Sequence, residues 1–132
     1  MRRMNVVVAL SLALAPACSR PPSSTASGAT APSESGSPGA DARTLVAAGA
    51  LLIDVRTPAE FEGRHLPSAV NIPVDDVALR VGDIERLTRG DRSAPIVVYC
   101  RSGARSARAA AMLQKVGYSR VTDLGPMSAW GG

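Results

Sequence analysis

At 132 residues the chain has room for one domain, and setting aside Arg2 and Arg3 of its leader leaves thirteen Lys+Arg against eleven Asp+Glu, a net charge of +2. So mild a balance, with aromatics limited to Phe61, Tyr99, Tyr118 and Trp130, supplies neither the basic field nor the stacking platform of a nucleic-acid binder. One histidine and two distant cysteines offer no metal-ligand spacing, so no metal site is expected.

Residues 1–17 read as a signal peptide, with a basic start, an apolar run from Val6 to Ala15, and Ala15-Pro16-Ala17 before Cys18. The apolar run is too short for a mature membrane span. This segment resembles a bacterial lipoprotein signal, which implies lipidation of Cys18. Leu14 and Pro16 depart from that pattern, and Ala15-x-Ala17 suits ordinary signal peptidase cleavage equally. An exported periplasmic domain is expected, with or without a membrane anchor. Residues 18–43, nearly all Ser, Pro, Ala, Gly and Thr, read as a flexible linker that buries too little to offset its ordering entropy. The folded domain is expected over 44–132.

Within it, Thr44 to Ala48 is a short helical candidate. Leu51 to Val55 is apolar on both faces, as a central parallel strand requires. Thr57-Pro58-Ala59-Glu60 is a capping box with proline at the first helical position. Ala69 to Ile72 is a second strand, stopped by Pro73. Val74 to Arg89 carries spaced apolar residues among charges and predicts one or two amphipathic helices, with Gly82 as the candidate break. Ile96 to Tyr99 is a buried strand, Ser106 to Val116 a helix ended by Gly117, Val121 to Leu124 a last strand, and Pro126 to Trp130 a terminal turn or short helix. Alternating short strands and helices imply an α/β fold, a small open parallel sheet flanked by helices on both faces. No edge strand is visible before Thr44.

Cys100 falls at the carboxyl end of a strand, where such sheets place ligands. Arg101-Ser102-Gly103-Ala104-Arg105-Ser106 then runs into a helix, aiming backbone N–H groups and the helix dipole at one point. A thiolate there is stabilised, which lowers the cysteine pKa. Gly103 allows positive φ, Arg105 offers a fork for oxyanions, and Ser102 and Ser106 can donate to an anion or to sulfur. A working nucleophile must also be reachable from solvent, with its loop amides facing the sulfur.

Three runs carry a resemblance: D-V-R-x-P-x-E-F (Asp54 to Phe61), H-L-P-S-A-V-N-I-P (His65 to Pro73) and C-R-S-G-A-R-S (Cys100 to Ser106). Together, in order, they resemble the rhodanese family of sulfurtransferases over Thr44 to Gly132. The resemblance implies that Cys100 takes the outer sulfur of a donor such as thiosulfate or a persulfide, and passes it to cyanide or a thiol. It implies no cofactor. Arg101 to Ser106 would cradle the donor and the persulfide, with Arg101 and Arg105 on the oxyanion. Asp54, Arg56 and His65 read as structural support rather than catalysis.

Cysteine phosphatases on related folds resemble a longer loop, with five residues between Cys and Arg; here four intervene. A non-catalytic binding module of the same fold is a third reading, though such modules usually lack the cysteine. An unlipidated Cys18 could instead pair with Cys100 in an oxidising compartment. Gly125-Pro126-Met127 departs from the family's usual glycines, so looser packing of the last strand is expected.

Overall fold

Four short strands rich in Val, Ile and Leu set the frame: β1 (Leu51–Asp54), β2 (Val70–Asn71), β3 (Ile96–Cys100) and β4 (Val121–Pro126). The computed structural model describes residues 37–131, so the signal-like segment, Cys18 and most of the linker lie outside the described residues. The strands form one sheet in the order β2-β1-β3-β4, with every neighbouring pair parallel. All five residues of β3 are buried, as a strand covered on both faces must be.

Helices α1 (Pro38–Ala47), α2 (Pro58–Gly63), α3 (Val81–Leu87) and α4 (Ala104–Lys115) follow in chain order, with a 3₁₀ turn over Met127–Gly131. On one face Ile84 of α3 and Ala109 and Leu113 of α4 pack against Ile53, Ile96 and Val98. On the other, Ala42 of α1 and Trp130 of the 3₁₀ turn pack with Leu52, Val97, Tyr99 and Leu124. The chain therefore has the expected α/β architecture, with helices on both sides of a small open sheet.

Three local expectations are corrected. Helix α1 begins at Pro38, inside the stretch 18–43 read as linker, because Ser37 caps it through a bond from the Ala40 N–H to its hydroxyl (3.3 Å). The small residues that resemble linker filler are packing residues here. Gly39 and Ala42 are buried, and a Cβ at Gly39 would stand 1.7 Å from the Ala129 carbonyl oxygen. Second, Val74 to Arg80 is a run of turns, bonded Asp76 N to Pro73 O (2.8 Å) and Arg80 N to Asp76 O (2.8 Å); α3 follows, with Gly82 inside it rather than at a break. Gly82 is solvent-exposed in the first turn, where it interrupts no packing. Third, β4 pairs with every residue of β3 rather than packing loosely. The irregularity is confined to a register shift at Leu124, where a left-handed Gly125 (φ 79°) resumes the pairing.

Candidate active site

Strand β3 ends at Cys100, and Gly103 (φ 98°) turns the chain in the left-handed region before α4 starts at Ala104. Only glycine adopts that φ cheaply, so the positive φ anticipated for this position is present. The turn folds the loop back over the sulfur. The Gly103 N–H donates to Cys100 Sγ at 2.9 Å, and Ser106 Oγ lies 3.7 Å from the same atom. Ser106 Oγ–H donates in turn to the Gly103 carbonyl at 2.9 Å, so thiol, hydroxyl and carbonyl form a chain. Burial pushes the Cys100 thiol up. The amides of Ser106, Gly103 and Ser102 and the Ser106 hydroxyl outweigh it, and the net pKa lies below the ordinary 9.0.

Loop amides therefore face the sulfur, as a thiolate cradle requires, but the residue itself is 0% exposed. The expectation of a solvent-reachable thiol is not met. The cause is the loop's own fold over the sulfur, with the Gly103 N–H at 2.9 Å and the Ser106 hydroxyl oxygen at 3.7 Å. Cys100 is the end of the core on that face.

Arg105 also departs from expectation. Its Nη1 and Nη2 donate to Glu60 Oε2 (2.7 Å) and Oε1 (3.0 Å), a bidentate pair, so its fork is occupied rather than open to a donor. Glu60 completes the anticipated capping box of α2 at the same time, accepting from the Thr57 N–H and hydroxyl, each at 3.1 Å. Arg105 first and Thr57 next hold the Glu60 carboxyl down to about 2. The capping-box pattern marks Glu60 in the sequence; its second partner, 45 residues away, is a matter of folding alone. Arg101, Ser102 and Ala104 are exposed at the rim, Gly103 is half-buried and Ser106 buried.

Asp54 and Arg56 form a buried pair behind the site, Nη2 to Oδ2 at 2.6 Å and Nε to Oδ1 at 3.0 Å, and Arg56 Nη2 also donates to the Arg64 carbonyl at 2.5 Å. Asn71 Nδ2 donates to the carbonyls of Asp54 and Arg56, both at 3.0 Å. This network ties β1 to the loop before β2. Tyr99, unmarked by any motif, belongs to it: its hydroxyl accepts from the Leu66 N–H at 3.0 Å, and its ring lies 5.7 Å from the Arg56 guanidinium. His65 is an exposed loop residue, stacked on Phe61 at 4.0 Å with Nδ1 on the Phe61 carbonyl at 2.8 Å. That is local support for the turn after α2, and it does not bond Cys100. A cleft lined by Val70, Arg80, Asp83, Arg86 and Leu87 shares no residue with the cysteine loop.

A model of the rhodanese-like domain matches residues 40–131. The chain belongs to the rhodanese-like family. Among its relatives, a sulfurtransferase of Allochromatium vinosum is 43% identical over 81 residues, which cover 61% of this chain and 70% of that protein. The thiosulfate sulfurtransferase GlpE of Pseudomonas syringae is 34% identical over 96 residues, covering 70% and 83%. The solved human single-domain sulfurtransferase superposes with a TM-score of 0.59 at 26% identity, over 68% of this chain and 88% of that one. The family model begins at residue 40, inside α1, in agreement with a rhodanese-like domain that starts before Thr44.

Proposed function

We propose that this rhodanese-like domain is a sulfurtransferase that carries sulfane sulfur as a persulfide on Cys100. The observation that carries the reading is the ring of donors on Sγ: the Gly103 amide at 2.9 Å, with Ser102 and Ser106 also lowering the thiol pKa. In the first step the Cys100 thiolate attacks the outer sulfur of thiosulfate; the S–S bond breaks, its electron pair leaves with sulfite, and Cys100 becomes Cys–S–S⁻. In the second, cyanide or a thiolate attacks the terminal sulfur, leaving as thiocyanate or a new persulfide and restoring the thiolate. Charge is conserved in both. The amides that favour thiolate over thiol also favour the persulfide anion, an oxyanion-hole arrangement applied to sulfur. Sulfurtransferase relatives at 43% and 34% identity support the same reaction class.

Treating the protein with thiosulfate and weighing it intact tests this directly. The expected result is a gain of about 32 Da, one sulfur atom, on Cys100, discharged by cyanide and absent in Cys100→Ser. Thiocyanate production that survives Cys100→Ser overturns the assignment. Hydrolysis of an aryl phosphate without sulfur transfer points instead to the phosphatase reading, which the four-residue spacing between Cys100 and Arg105 disfavours.

We infer further, from the leader and linker alone, that the domain is exported and tethered through a lipid on Cys18. Mass spectrometry of the mature N-terminus tests that: an unmodified Cys18, or a terminus elsewhere, removes the anchor.

A further inference from the structure

An anion that approaches the cysteine loop meets an ion pair where the sequence promised a free cation. Arg105 sits in the first turn of α4, five residues beyond Cys100, and its charge is felt at the sulfur. Yet both of its terminal nitrogens are bonded to Glu60 at 2.7 and 3.0 Å. Glu60 is no wandering counterion. The carboxylate is pinned on its other side by the Thr57 N–H and hydroxyl at 3.1 Å, in the first turn of a helix whose cap it completes. Both members of the pair remain partly exposed, at 32% and 29%, so they stand at the rim where a donor arrives rather than in the core. Arg105 neutralised by Glu60 lends a dianion no net attraction.

The geometry points to Glu60 as a charge-selecting residue that biases Cys100 against dianionic donors such as thiosulfate, in favour of sulfane-sulfur donors of low charge such as alkyl hydropersulfides. The class of donor rests on the sulfurtransferase reading; the charge selection itself does not. Glu60 cancels the one charge felt at the sulfur, that of Arg105, and in a wet rim a Coulomb energy of about 0.7–1.4 kcal/mol changes the encounter of a single negative charge by about three- to tenfold.

The test compares alkylation of Cys100 in the full chain by iodoacetate, an anion, and by iodoacetamide, its neutral counterpart, in wild type, Glu60→Gln, Glu60→Ala and Glu60→Asp. Glu60→Gln keeps an acceptor for Arg105 and for Thr57 while removing the charge. The iodoacetate-to-iodoacetamide rate ratio is expected to rise about three- to tenfold in Glu60→Gln and Glu60→Ala, to stay near the wild-type value in Glu60→Asp, and to lose its dependence on Glu60 in 1 M salt, where the screening length falls to about 3 Å. KM for thiosulfate falls alongside in the two uncharged variants. A ratio that stays level or falls in both uncharged variants overturns the proposal, as does an equal rise in Glu60→Asp, which would mark a loss of packing rather than of charge. If wild type takes no sulfur from thiosulfate or from an alkyl hydropersulfide, the sulfurtransferase reading fails while the alkylation ratio still decides the role of Glu60.

Discussion

Ser106→Ala isolates the least conspicuous part of the cradle. Ser106 is fully buried, its hydroxyl lies 3.7 Å from Cys100 Sγ, and it is among the groups that lower the thiol pKa. Beside the neutral thiol the hydroxyl proton lies on the Gly103 carbonyl, and on ionisation it rotates to the sulfur; a hydrogen bond to a charged group contributes about 1.5–3 kcal/mol, and the long sulfur contact places this one at the low end. At about 1.4 kcal/mol per unit, removing it raises the Cys100 pKa by about one unit. The amides of Gly103 and Ser106 remain, so the rise stops there. At a pH below both midpoints the thiolate fraction drops about tenfold. Each remaining thiolate is a stronger nucleophile by about threefold, given a Brønsted slope near 0.45, so iodoacetamide alkylation slows about three- to fourfold. The measurement is the alkylation rate from pH 5 to 10 in wild type and variant. A midpoint that stays put or moves down in Ser106→Ala refutes the idea that this hydroxyl holds charge on the sulfur. Stability reports the same linkage. The folded thiol ionises below its ordinary 9.0, so its ionisation stabilises the fold above pH 9, and that contribution is lost as pH falls through the folded midpoint. Ser106→Ala shrinks it.

Other outcomes follow from the supporting structure. Asp54→Ala strands the Arg56 guanidinium, 5% exposed, without its carboxylate, and urea unfolding is expected to show a loss of about 3–5 kcal/mol. Gly39→Ala drives a Cβ into the Ala129 carbonyl and should cost about 1–3 kcal/mol in the same assay; a neutral result would show that α1 is not packed against the 3₁₀ turn. Acid unfolding should be sensitive to Glu60. Its carboxyl is lowered from 4.5 to about 2, so its contribution is complete above about 4.5 and fades as pH falls toward 2, a slope that Glu60→Gln removes. His65→Ala should leave thiocyanate formation largely intact, since the ring bonds Phe61 rather than the cysteine loop; a loss of more than about tenfold, well beyond a tertiary-support role, would return it to the chemistry.

The strands were legible because burial on both faces leaves a sequence trace: Ile96-Val97-Val98 and Leu51-Leu52-Ile53 have no polar face to show. The left-handed turn at Gly103 was legible for a similar reason, since one residue type answers to it. Helix α1 was not. Gly39 and Ala42 carry no hydropathy signal, and their value lies in how closely the backbone can approach Ala129. Tyr99 was missed because its hydroxyl meets the Leu66 amide 33 residues back, a pairing without periodicity.

The amino-acid order by itself determined what local chemistry can determine: the parallel α/β class, the capping box at Thr57 and Glu60, and a cysteine delivered by a strand into the start of a helix. Each depends on residues within one turn or one strand of each other. Only the tertiary structure decided that Arg105 is held by Glu60 and that the sulfur lies covered beneath its own loop. Both depend on how far two distant segments approach in space, and side-chain charge and polarity carry no information about that distance.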